Sequence, residues 1–143
     1  MLKKEKSSDI RMIERCFKIS KTIIKIIFDD LSVSKDKIIE DSLINFKSGF
    51  TDLQKIIKFF LQNQNMILNL EEGEKTIFKK HLEVILKIRN EIAHQQKLEE
   101  DRCIDQFEII KKGIFLIQSK NPIFVKDRYY NEIKEFEIKL LKK

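Results

Sequence analysis

Three glycines and one proline in 143 residues leave this chain few places to turn tightly. An all-β sandwich or barrel needs a turn signal every ~8–12 residues, so that class is excluded. The glycine patterns of dinucleotide-binding folds and P-loops are absent as well. Apolar residues instead recur at helical spacing almost throughout. Hydrophobic residues make up 42% and charged residues 36%, a balance that fits a folded, helix-rich protein with a real core rather than a disordered tail. The expected architecture is all-α: an antiparallel bundle of five to six helices with short loops, forming one domain over residues 1–143.

The elements follow from caps and stripes. Ser8 and Asp9 suit the start of a first helix with a stripe through Ile13, Phe17, Ser20, Ile24, Ile27/Phe28 and Leu31, ending near Ser32-Val33. Ser34 caps a second, through Ile38, Ile39, Leu43 and Phe46 to Ser48-Gly49. Thr51 or Asp52 opens a third carrying Leu53, Ile56, Ile57, Phe60 and Leu61, and Glu71-Glu72-Gly73 is the clearest polar break. A long helix spans roughly Glu74 to Gln95. Another begins near the acids Glu99-Glu100-Asp101, runs through Ile104, Phe107, Ile110, Ile114 and Ile117, and stops at Asn121-Pro122. A last helix from about Asp127 carries Tyr130, Ile133, Phe136, Ile138 and Leu140.

Cys16 and Cys103 lack CxxC spacing and read as two reduced intracellular thiols. Apolar runs such as Ile26-Ile27-Phe28 fall far short of the ~20 residues that cross a membrane, and the basic first residues lead into Ser7-Ser8-Asp9 without a signal-peptide core. A cytoplasmic protein without membrane contact is expected. The net charge of +6 is unevenly placed: residues 1–25 hold +5, residues 26–125 hold −1 and residues 126–143 hold +2. Basic ends on a near-neutral middle suit a polyanion, and a solvated lysine-rich helix face explains the same numbers.

One segment departs from solvated helix faces: Lys87-Ile88-Arg89-Asn90-Glu91-Ile92-Ala93-His94-Gln95. On a helical wheel Ile77, Phe78, Leu82, Val84, Ile85, Ile88 and Ile92 fill one broad apolar arc, and Arg89 falls inside it between Ile85 and Ala93. An unpaired guanidinium buried there costs several kcal/mol, so a partner is required, and such local conflicts concentrate at functional sites. Asn90 and His94 share the flank of the arc with Lys87 and Lys97. Arg89 and His94 stand about 140° apart with Ala93 and Asn90 between them, so a phosphate over Ala93 and Asn90 could meet the Arg89 fork from one side and the His94 imidazole from the other. Imidazole is the side chain whose ordinary pKa suits acid–base work at neutral pH.

Arg89-Asn90-x-x-x-His94 resembles the signature of the HEPN domains: an Arg, a polar residue directly after it, and a His four to six positions on. The resemblance extends over about residues 74–120, where the motif helix is followed by an acid-capped amphipathic helix. It implies a helical bundle that forms a homodimer with the motif near the two-fold axis. It also implies metal-independent endoribonuclease chemistry of the kind found in toxin–antitoxin modules and antiphage defence, with no cofactor. Carried over by position, His94 is the general acid/base, Arg89 binds the scissile phosphate, and Asn90 orient one of the two. The RNA's own 2′-hydroxyl attacks and leaves a 2′,3′-cyclic phosphate; Lys87 and Lys97 are the expected RNA-binding neighbours. An antitoxin or other regulatory protein is an implied further partner. HEPN toxins paired with a nucleotidyltransferase antitoxin carry a Tyr two residues after the His, the target of modification. This chain has Gln96 there, so that regulation does not carry over.

Plainer readings stand beside these. Arg89 could pair with Asp105 or Glu108, leaving a non-catalytic helical module that binds a partner protein or nucleotide. His94 could be a helix-end histidine beside the last carbonyls. His81 lies in the apolar arc with no nucleophile or second base spaced to it, and reads as a core or interface histidine with its hydrogen bonds satisfied. The Phe and Ile stripes read as core, and Lys111-Lys112 and Lys142-Lys143 as solvated ends. No helix concentrates Arg, Asn and Gln on one face as a DNA-recognition helix would.

Overall fold

A computed structural model describes residues 8–32, 52–64, 68–94, 98 and 100–141. The second helix expected after Ser34 lies outside the described residues, as does Lys97. The described fold is all-α, with five helices and, among the described residues, no strand: α1 (Ser8–Ser32), α2 (Leu53–Gln62), α3 (Glu72–Ala93), α4 (Cys103–Lys120) and α5 (Asp127–Leu141). Short 3₁₀ turns at Glu100–Arg102 and Pro122–Phe124 lead into α4 and α5.

Local chemistry explains these boundaries. Asp52 caps α2 by accepting the Lys55 N–H at 2.9 Å. The Glu74 carboxylate accepts the Glu71 N–H at 3.0 Å, half of a reciprocal N-terminal capping arrangement. α3 therefore begins two residues earlier than its apolar pattern suggests, and exposed Gly73 falls within its first turn. Pro122 lacks the N–H that would continue α4, and the chain turns there with Asn121 N–H donating to Ile117 O at 2.9 Å.

One continuous apolar core draws on all five helices. Phe28 on α1 meets Phe59 edge-on at 6.0 Å between ring centroids, and Phe60 stacks toward Phe78 on α3 at 6.4 Å. The expected stripes mostly point inward, with corrections at their ends. Ile92, Ile104 and Ile138 are exposed rather than packed, whereas Phe59, outside the expected stripe, is 1% exposed. Ser20 is fully buried, and its Oγ has no hydrogen-bond partner.

α3 and α4 form the tightest pair and run antiparallel. Lys120 at the end of α4 reaches Glu74 at the start of α3 at 2.8 Å, and midway His81 lies on Gly113. Glu74's carboxyl is held below the usual range, chiefly by the Glu71 N–H and then by the Lys120 ammonium. Gly113 is needed for its missing side chain: an added methyl would overlap the His81 ring. α5 packs antiparallel to α4, with Phe115 and Tyr130 centroids 4.8 Å apart and Lys111 between Glu108 and Glu137 at 3.1 Å from each. Burial opposes the Lys111 charge, but the two carboxylates outweigh it and raise its pKa. On its other side α5 meets α1 through a two-pronged ion pair, Arg15 Nε–Glu132 Oε1 at 2.8 Å and Arg15 Nη2–Glu132 Oε2 at 3.2 Å.

His81 is buried as expected, but it is not satisfied: among the described residues neither ring nitrogen has a hydrogen-bond partner. Burial pushes its pKa down to about 4, only partly offset by the nearby Ile110 and Ile109 carbonyls, which lie outside hydrogen-bonding geometry. The ring is thus held neutral in the fold and protonates near 6.5 when unfolded. Its contribution to stability is complete above pH ~6.5 and is lost as pH falls toward 4, a change of a few kcal/mol. Urea denaturation of wild type from pH 7 to 4.5 is expected to show this decline, and His81→Leu to flatten it. An equal slope in both would remove His81 as the cause. Gly113→Ala is expected to cost roughly 1–3 kcal/mol at pH 7, because the seam must open to admit the methyl. A midpoint equal to wild type in urea would show that the ring swings aside freely.

Candidate functional site

The last turn of α3 carries the motif. Ile88 is the final fully buried residue on the helix; beyond it Ile92 is 43% exposed, and Ala93 and His94 are exposed. The apolar arc therefore ends one turn earlier than its sequence pattern implies. Arg89 is half-buried at this margin rather than sealed in the core.

Its partner is also different. Arg89 Nη1 donates to Asn90 Oδ1 at 3.1 Å, a contact between chain neighbours. Asp105, one of the two carboxylates expected to neutralise Arg89, is exposed, and Glu108 is taken by Lys111. Among the described residues no carboxylate forms an ion pair with Arg89.

Asn90 links the two other motif residues. Its side chain holds the Arg89 fork, and its backbone carbonyl accepts the His94 N–H at 3.0 Å. His94 is the C-cap of α3, with φ −93° and ψ 10°, and is exposed. The structure thus brings Arg89, Asn90 and His94 together within the last turn and a half.

An open groove runs along the adjoining face of α3, lined by Glu83, Leu86, Lys87, Asn90 and Glu91. Lys87 and Asn90 are in it; Arg89 and His94 do not line it. The two carboxylates were not among the expected site residues, though their signal is in the sequence: Glu83, Lys87 and Glu91 recur every four residues and so share one helix face. Glu91 sits inside the Arg89–His94 motif and gives this groove a mixed charge instead of a purely basic one. Among the described residues, no three His, Cys, Asp or Glu side chains converge as a metal-binding group.

Cys16 and Cys103 are both fully buried and are not joined in a disulfide. Burial, reinforced by the Glu132 charge, pushes the Cys16 thiol far up, so the nucleophilic thiolate is disfavoured there. Among the described residues no helix is long and apolar enough to cross a membrane. No protein-family model, curated protein or solved structure matches the chain.

Proposed function

We propose that the chain is a metal-independent endoribonuclease of the HEPN type, working as a homodimer and serving as a toxin or defence effector in the cytoplasm. The observation that carries this reading is the Asn90 side chain, which accepts from the Arg89 guanidinium at 3.1 Å, one turn before exposed His94 at the helix end. A neutral amide orients the Arg89 fork without cancelling its charge, which leaves the remaining N–H donors available for a phosphate.

In the proposed reaction Arg89 grips the non-bridging oxygens of the scissile phosphate and stabilises the charge that develops on them. His94 takes the proton from the RNA 2′-hydroxyl as the 2′-oxygen bonds to phosphorus. The bond from phosphorus to the 5′-oxygen breaks, and an imidazolium returns a proton to that leaving oxygen. The products are a 2′,3′-cyclic phosphate and a free 5′-hydroxyl. Lys87 and Lys97 approach the flanking backbone, and the exposed Ile92 and Ala93 at the helix end would face the second copy.

A second reading rests on two observations. Glu83 and Glu91 place negative charge beside Asn90, and Ile92 and Ile104 are 43% and 46% exposed at the end of the α3–α4 hairpin where the chain passes from one helix to the other. Both suit a non-catalytic module that binds a partner protein.

The test is cleavage of a labelled RNA pool in EDTA by wild type and His94→Ala, with analysis of fragment ends. Wild type is expected to leave cyclic-phosphate ends, and His94→Ala to lose ~10²–10⁴-fold in rate with its melting temperature unchanged. Inactivity of both folded proteins favours the interaction module. Glu91→Gln is expected to lower the KM for RNA severalfold by removing repulsion, with little change in kcat, and the effect should shrink at high salt. A KM that stays put at low salt would count against RNA lying along this face.

A further inference from the structure

Resting on the RNA reading above, we infer that the outer ridge formed by α1 and α5, well away from the motif in sequence, binds the sugar–phosphate backbone of RNA. α1 and α5, far apart along the chain, lie side by side here. Arg15 and Glu132 clip α1 to α5 and neutralise each other. Around this clip stand cations that the fold does not use.

On α1, Arg11, Lys18 and Lys25 are all exposed and recur every seven residues, so they drift only ~20° per step and form one stripe about 21 Å long. On α5, exposed Arg128 stands four residues before Glu132 and exposed Lys139 seven after it, which places both on the helix face that meets α1. Among the described residues no carboxylate forms an ion pair with any of these five.

Opposing charge on the ridge is concentrated on α5, where Asp127 is exposed beside Arg128. Glu135 is exposed on α5, Glu14 is half-buried and already engaged, and Asp29 and Asp30 lie beyond Lys25 at the end of α1. Lys134 lies over the Tyr130 ring at 4.3 Å, on the flank toward α4. The five exposed cations of the ridge are spaced along two helices rather than converging on one point. Such a surface follows backbone charge and leaves sequence unread.

The experiment uses a fluorescent 2′-O-methyl RNA oligonucleotide, which binds but cannot be cleaved, titrated with the full chain over a salt series. Arg11→Gln/Lys18→Gln/Lys25→Gln is compared with the charge-matched control Lys55→Gln/Lys58→Gln/Lys80→Gln, made of exposed lysines on α2 and α3. The ridge variant is expected to bind at least tenfold more weakly at low salt, with its salt slope reduced by about 2. The control should stay near wild type, and all three proteins should melt alike. Adding Arg128→Gln/Lys139→Gln should weaken binding again. Equal losses in ridge variant and control would overturn the inference, since net charge alone would then explain binding; so would wild type that fails to bind the RNA. Ridge-dependent binding by a protein that cleaves no natural RNA would uphold the ridge and sink the nuclease reading alone.

Discussion

The seam between α3 and α4 is the constraint on which the rest of the arrangement depends. At Gly113 the backbone of α4 comes so close to α3 that the His81 ring fills the space a side chain would occupy. Interiors pack at crystal-like density, so a contact of this kind fixes the separation of two helices as well as their register. The Lys120–Glu74 pair fixes the same register at the other end of the hairpin. With its first two-thirds locked in this way, α3 holds its last turn clear of the apolar packing, and the motif stands at that end. The fold keeps a neutral imidazole there with both nitrogens unpaired among the described residues, a cost that a smaller apolar side chain would not incur.

Much of this was legible beforehand, for physical reasons that can be named. Helix boundaries came through where the chain carries capping chemistry: Asp52 before α2, Asn121-Pro122 after α4, Asp127 at the head of α5. The start of α3 was less legible, because glycine at position 73 reads as a break while the Glu71–Glu74 hydrogen bond makes that turn helical. The burial of Arg89 was overstated for a different reason. A helical wheel assigns every residue on an arc the same environment, yet a helix is buried only where a neighbour lies alongside it. Ile85 and Ile88 have such neighbours, while Ile92, on the same arc, is 43% exposed. The same end effect exposes Ile104 and Ile138. Glu83 and Glu91 belong to the stripe beside the motif, where charged residues at four-residue spacing have the pattern of any solvated helix face.

Two arginines show how the same side chain serves different ends in this fold. Arg15 meets Glu132 with two parallel hydrogen bonds, so its charge is cancelled and its planar fork joins two helices. Arg89 meets the carbonyl oxygen of an amide with one hydrogen bond and retains its full charge. A carboxylate partner would have made Arg89 a structural strut, and α4 carries two candidates: Asp105, which stays exposed, and Glu108, which Lys111 takes. Lys111 also engages Glu137, so one ammonium occupies both carboxylates on the α4–α5 side. The ion pairs that secure the bundle are thus satisfied among themselves, and the guanidinium beside the helix-end histidine has no carboxylate partner among the described residues. A positive charge held in place by a neutral group, at an exposed helix end, is suited to meeting an anion that arrives from solution.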